Sequence, residues 1–202
     1  MLHRNTVEPH TLSLIQDLQS RLYTKNFLLA GGTALVLQPG HRTSIDIDLF
    51  SIVRFDIDSL LLNIQQDFKI SIRSRMSHAL LVDIDLVKTD FVFQPSVMIE
   101  PVEELDGVRM ASRLEIAAMK IGAITARGRK RDFIDLYCLL NYFSLPDIID
   151  AFLRKFPAAT PELAIRSLFY FEDANDDLEP RCFFDYSWNK VKEKIKREAQ
   201  KL

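Results

Sequence analysis

Residues 31 to 50 read GGTALVLQPGHRTSIDIDLF, and this stretch limits what the chain can fold into more than any other. FLLA before it is a short apolar strand at 27 to 30, and Gly31-Gly32 allows the chain to turn sharply from that strand into a helix over TALVLQ. Pro39 and Gly40 end the helix. SIDIDLFS then alternates Ile45, Ile47 and Leu49 with Asp46 and Asp48, the period of two of a strand with one polar face. A strand, a glycine turn, a helix and an acidic strand in this order describe the start of a mixed α/β layer.

The flanking sequence extends that layer. Leu12, Ile15, Leu18 and Leu22 recur at three- and four-residue spacing, which marks an amphipathic helix over residues 8 to 23. DIDSLLLNIQQDF (56 to 68) reads as a helix capped by Asp56 or Asp58. KISIRSRM and ALLVDIDLVKT read as two strands joined near Ser77 and His78, and residues 90 to 110 as a connection holding the short strand GVRMA. Beyond this point the period changes. Ser112 and Glu115 form a capping box for the helix RLEIAAMKIGAITA, and RDFIDLYCLLNYF follows the basic turn RGRKR. Further helices are expected at Leu145-Pro146, at Thr160-Pro161 and near Trp188. The expected fold is α/β (α+β): residues 1–110 form a core with a mixed sheet flanked by helices, and residues 111–202 form a helical domain.

Asp46 and Asp48, two apart on one strand, share a face about 6 to 7 Å apart along the backbone. Carboxylates so placed suit magnesium, which takes oxygen ligands from one or two carboxylates and from substrate phosphates. Backbone N–H groups of the glycine pair can approach those phosphates at the helix start. LLVDIDLV presents Asp83 and Asp85 on a second acidic strand, and one of them would stand beside the first two. Asp85, nearer the middle of the apolar run, is favoured and Asp83 is the alternative; the role is second-metal ligand or base for the attacking hydroxyl. Taken singly, Asp-x-Asp is commonly a solvated strand face and Gly-Gly commonly a turn.

The helix from 112 to 127 is apolar nearly all round, yet carries Lys120, with Arg127 two turns along. A buried cation needs an anion. Two partners are open: a nucleotide phosphate, or Asp132 and Asp135 on the next helix. In the loop before the acidic strand, Arg42 is placed either to touch a phosphate or to lie exposed, and Ser44 to shape the chain locally.

These residues resemble the nucleotidyltransferase superfamily, whose signature is glycine with glycine or serine, about a dozen residues, then Asp-x-Asp or Asp-x-Glu. Here thirteen residues separate Gly31-Gly32 from Asp46-Ile47-Asp48. With KIGAITARGRKRDFIDLYCLL, the match narrows to the AbiEii (abortive infection) toxin group, over about residues 25 to 140. The resemblance implies a polymerase-beta-like core and metal ligands at Asp46, Asp48 and Asp85. It implies nucleotide contacts from Gly31, Gly32, Thr33 and Lys120, and a functional role for Asp132, with Arg42, Ser44 and Arg127 within reach. The implied cofactor is Mg2+ or Mn2+, the substrate a nucleoside triphosphate, the acceptor tRNA, and the partner a separately encoded antitoxin. RGRKR and the basic C-terminal helix are the expected phosphate contacts. The alternatives are transfer to a small molecule, as in antibiotic nucleotidyltransferases, and nucleotide binding without turnover.

The composition is that of a globular protein, with 48% apolar and 27% charged residues and a net charge of −2. The chain as a whole therefore lacks a polyanion-binding charge. No stretch approaches the roughly 20 apolar residues of a membrane helix, and MLHRNTVEPH lacks a signal segment, so a cytoplasmic location is expected. Cys138 and Cys182 are too few for a disulfide framework.

Overall fold

The computed structural model describes residues 1–202, which divide into two compact units. The first comprises residues 1–96 and 102–111, and the second residues 97–101 and 112–202. The chain thus crosses to the helical unit and back before leaving the sheet for good, which the expected single boundary near residue 110 did not include.

The first unit is a seven-stranded mixed sheet. Its strands are β1 (Leu28–Ala30), β2 (Ile47–Ser51), β3 (Ile70–Met76), β4 (Ala79–Ile84), β5 (Val87–Phe93), β6 (Glu103–Leu105) and β7 (Val108–Met110). Their order is β3-β4-β5-β2-β1-β7-β6. The β3–β4 pair is the expected hairpin, closing at Met76↔Ala79 across Ser77 and His78. The second predicted strand is really two. Asp85 and Leu86 turn the chain with φ of 48° and 71°, and β5 runs back along β4 as far as Phe93.

The helices of this unit are α1 (Pro9–Ser20), α2 (Gly31–Leu37) and α3 (Ile57–Asp67). Asp56 caps α3, accepting from the Ser59 N–H at 2.7 Å. Buried Gln19 ties α1 to β7, donating to the Arg109 carbonyl and accepting from its N–H at 2.7 and 2.8 Å. On the covered face of the sheet, Ile47 and Leu49 of β2 lie beside Phe91 of β5 with no exposure. Phe27 meets Phe91 edge-on at 5.3 Å, an arrangement that adds about 0.5–1.5 kcal/mol to the burial of the two rings. Period-two alternation turns Asp48, Phe50, Asp90 and Val92 to the opposite face.

The second unit holds α4 (Arg113–Arg127), α5 (Lys130–Leu139), α6 (Leu145–Lys155), α7 (Pro161–Ser167), α8 (Glu172–Asn175) and α9 (Trp188–Ala199). Only half of the capping box forms at α4. The Ser112 hydroxyl accepts from the Glu115 N–H at 3.1 Å, but the Glu115 carboxylate does not reach back. It is buried, paired with Lys155 of α6, and it accepts from the Ile99 N–H at 2.7 Å. This contact fastens residues 97–101 to the helices. No helix is long and apolar enough to cross a membrane.

Candidate functional site

Gly31 follows β1 with φ of +63°, the left-handed region that favours glycine. A Cβ there would overlap a carboxylate oxygen of Asp48 and lie 2.9 Å from its carboxyl carbon. Only glycine leaves room for Asp48 against the turn. At Gly32 a Cβ would stand 3.0 Å from an Arg42 guanidinium nitrogen and 3.3 Å from the Ser44 hydroxyl. The Thr33 hydroxyl lies 2.8 Å from that of Ser44 and also bonds the Asp46 carbonyl. Gly31, Gly32, Thr33, Arg42, Ser44, Asp46 and Asp48 therefore form one cluster in which the first turn of α2 grips the chain leading into β2.

Two expectations change in detail. Asp46 lies just before β2, which starts at Ile47, so only Asp48 is held by the ladder. Arg42 is 4% exposed instead of lying open on a loop, and it donates to the Thr43 carbonyl at 2.8 Å.

Asp85 does not stand where the sequence reading put it. It sits in the β4–β5 turn, its N–H donating to the Lys69 carbonyl, and it is not on a strand beside Asp46 and Asp48. The physical reason is the turn itself, which the unbroken apolar run conceals. The alternative, Asp83, is on β4 opposite Ser71 and Lys88, and β5 separates it from β2. The carboxylate in register with Asp48 is Asp90, on the parallel neighbour β5. Neighbouring strands lie about 4.8 Å apart, and paired residues point to the same side. The alternation Val87, Thr89, Phe91, Phe93 continued beyond Thr89 would have revealed Asp90 on the polar face.

Asp48 and Asp90 offer only hard oxygen donors, beside a turn where a side chain would fill the space. That set fits a divalent cation of the magnesium type, which is commonly held by one or two carboxylates and completed by substrate phosphates. No three His, Cys, Asp or Glu side chains gather into a metal-holding group. The protein thus supplies a partial ligand set.

In the helical unit, Lys120 is 5% exposed and Asp132 and Asp135 are fully covered. The Lys120 ammonium lies 2.8 Å from Asp132 and 2.6 Å from Asp135, and the Arg127 Nε lies 3.1 Å from Asp132. Two cations meet two carboxylates, so the protein-partner alternative for Lys120 is realised. Burial pushes the Asp132 carboxyl up, but Lys120 and Arg127 outweigh it and hold the group below the usual aspartate range. In the basic turn, Lys130 is 4% exposed. It donates to the Asn175 and Asp177 carbonyls and pairs with Glu179, while Arg129 pairs with Asp177. Lys130 is thus committed within the protein, while Arg129 remains exposed.

A mixed sheet carrying an Asp-x-Asp segment under a glycine turn is the core of a nucleotidyltransferase. The sequence profile of the nucleotidyl transferase AbiEii toxin, type IV TA system, matches residues 13–201, and the chain belongs to that family. An uncharacterised protein of Aquifex aeolicus (strain VF5) is 32% identical over 185 residues, spanning 87% of each chain. Among solved structures, MenT4, a nucleotidyltransferase toxin from Mycobacterium tuberculosis H37Rv, is similar with a TM-score of 0.62 at 14% identity. The likeness covers 95% of this chain and 83% of that one. JHP933 from Helicobacter pylori is similar with a TM-score of 0.56 at 15% identity, over 96% and 92% of the two chains. At such identities the likeness is one of fold. The family carries the activity class, nucleotidyl transfer.

Proposed function

We propose that the chain transfers a nucleoside monophosphate from a nucleoside triphosphate to an acceptor hydroxyl, releasing pyrophosphate, with Asp46, Asp48 and Asp90 as the acidic residues of the site. The observation that carries this reading is the pairing of Asp48 with Asp90 in parallel register beside the Gly31 turn. The acceptor oxygen attacks the α-phosphorus in line, the bond to the bridging oxygen breaks, and pyrophosphate leaves with that oxygen. Asp90, on the polar face, takes the hydroxyl proton. Gly31 and Gly32 let backbone N–H groups approach the triphosphate, and Arg42 and Thr33 hold the chain that carries Asp46. A divalent cation, Mg2+ or Mn2+, when held by Asp48 and Asp90, would supply the charge neutralisation that phosphoryl transfer requires.

The acceptor in this reading is tRNA; the further reading, that the chain is the toxin of a pair with an antitoxin, is in keeping with its family. Incubation with each of four labelled nucleoside triphosphates, Mg2+ or Mn2+ and total tRNA is expected to label RNA, and Asp48→Asn to abolish the label. Failure with all four nucleotides would overturn it. Engagement of Arg129 and Lys130 by Asp177 and Glu179 favours a second reading, a small-molecule acceptor. Label appearing on a small molecule instead of RNA would select it.

A further inference from the structure

Arg73 stands at an irregularity in the sheet that the proposed chemistry leaves unused. β3 pairs with β4 regularly through Ile72↔Val82, and then the register slips so that Ser74 faces Leu81. Arg73 is the extra residue of this bulge, and a bulge re-aims the side chain it carries. Here the side chain crosses β4. Its Nε lies 2.9 Å from Asp83, its Nη2 donates to the Val82 carbonyl at 3.2 Å, and it pairs with Asp90 on β5. The side chain is 28% exposed, against 33% for Asp83 and 22% for Asp90, so the pairing is partly shielded from water. The rigid guanidinium fork suits a cation held between two carboxylates.

Asp90 is the carboxylate in register with Asp48. A guanidinium and a divalent cation would thus compete for one side chain. Resting on the reading of Asp90 as a site carboxylate, we propose that Arg73 is a positioning residue that serves as the resting counter-ion of Asp90. It holds the carboxylate towards β4 and lowers the affinity of the nucleotide-free protein for divalent cations. Asp83 keeps hold of the guanidinium when Asp90 is released, so the displaced charge stays on the same face of the sheet. Firm cation binding then waits for a triphosphate, whose own negative charge adds the missing attraction.

The test is Mn2+ binding to the whole, nucleotide-free protein, followed by the electron paramagnetic resonance signal of free Mn2+. Arg73→Ala is expected to bind Mn2+ about three- to fivefold more tightly than the unaltered protein, the scale of a partly exposed charge pair. Arg73→Lys is expected to fall between the two, and the gain is expected to vanish when Asp90→Asn is added. Arg73→Gln, which keeps a donor near the position of Nε without the charge, replaces the alanine variant if that one does not fold by circular dichroism. If Asp48→Asn weakens Mn2+ binding but neither Arg73→Ala nor Arg73→Gln tightens it, the counter-ion role is overturned and the site reading survives. If Asp48→Asn and Asp90→Asn both bind Mn2+ as the unaltered protein does, the site reading falls and takes the counter-ion with it.

Discussion

The Asp48 carboxylate occupies the space that any side chain at position 31 would need, so Gly31 and Asp48 are a matched pair. Gly31→Ala meets two penalties at once. The left-handed backbone costs about 1–2 kcal/mol for a residue with a Cβ, and the methyl group must displace the carboxylate. A shift of about 1 Å in such a group lowers turnover by roughly 100-fold. Gly31→Ala is therefore expected to lower the thermal midpoint and to lower nucleotidyl transfer by roughly 100-fold. Gly32→Ala meets only the ends of the Arg42 and Ser44 side chains and is expected to keep a larger share of both. Calorimetry and a label-transfer assay on the two variants check the contrast.

Asp90 and Asp85 make a second contrast. Asp90→Asn is expected to lower turnover by roughly 100-fold or more, as for loss of a general base. Asp85→Asn, in the β4–β5 turn, is expected to leave turnover near that of the unaltered protein, since its structural contacts run through its backbone. Equal loss in both variants would return the third acidic role to the turn.

Asp90 is hidden in the sequence for a local reason. The glycine turn, the Asp56 cap and the Ser77-His78 hairpin are legible because each is set by residues within a few positions of one another. The β4–β5 turn is not, because Asp85 and Leu86 adopt left-handed angles without a glycine, and Leu86 is 99% exposed although it is apolar. The run LLVDIDLV therefore reads as one strand, and ending it at Thr89 consigned Asp90 to a connection. The parallel pairing of β1 with β7, where Leu29 faces Met110, joins residues that no periodicity links. At α4, Ser112 behaves as its spacing implies, but the pairing of Glu115 with Lys155 depends on how α4 meets α6. The Lys120 alternatives could be written down from sequence, and only packing showed Asp132 and Asp135 within reach.

Asp132 gives a pH-dependent prediction. Its folded carboxyl titrates below the ordinary aspartate value of 3.8. A depressed carboxyl contributes stability that is complete above the unfolded value and is lost as pH falls through the folded one. The stability difference between the unaltered protein and Asp132→Asn is accordingly expected to be flat above about pH 5 and to shrink as pH falls below about 4. Removing one partner of a buried pair costs about 3–5 kcal/mol, so the difference at neutral pH should be easy to read in urea unfolding curves. A gap that stayed constant down to pH 3 would exclude the ion pair as its source.

Lys130 separates a structural cation from an RNA-binding one. Its ammonium group joins two backbone carbonyls and Glu179, and lies 5.5 Å from the ring centre of Trp188, the single tryptophan of the chain. Asp177 closes the same corner, accepting from the Lys130 N–H at 2.9 Å. Lys130→Ala is expected to loosen residues 175 to 179 and shift the Trp188 emission, with a stability loss of about 1–3 kcal/mol from the carbonyls and carboxylate left without their donor. Because its charge is already committed within the protein, the substitution is expected to leave the salt dependence of RNA binding unchanged. A lysine that contacted a phosphate would instead lower the slope of log K against log salt by about one. Tryptophan fluorescence and a salt titration of RNA binding, run on the same variant, give opposite answers for the two roles.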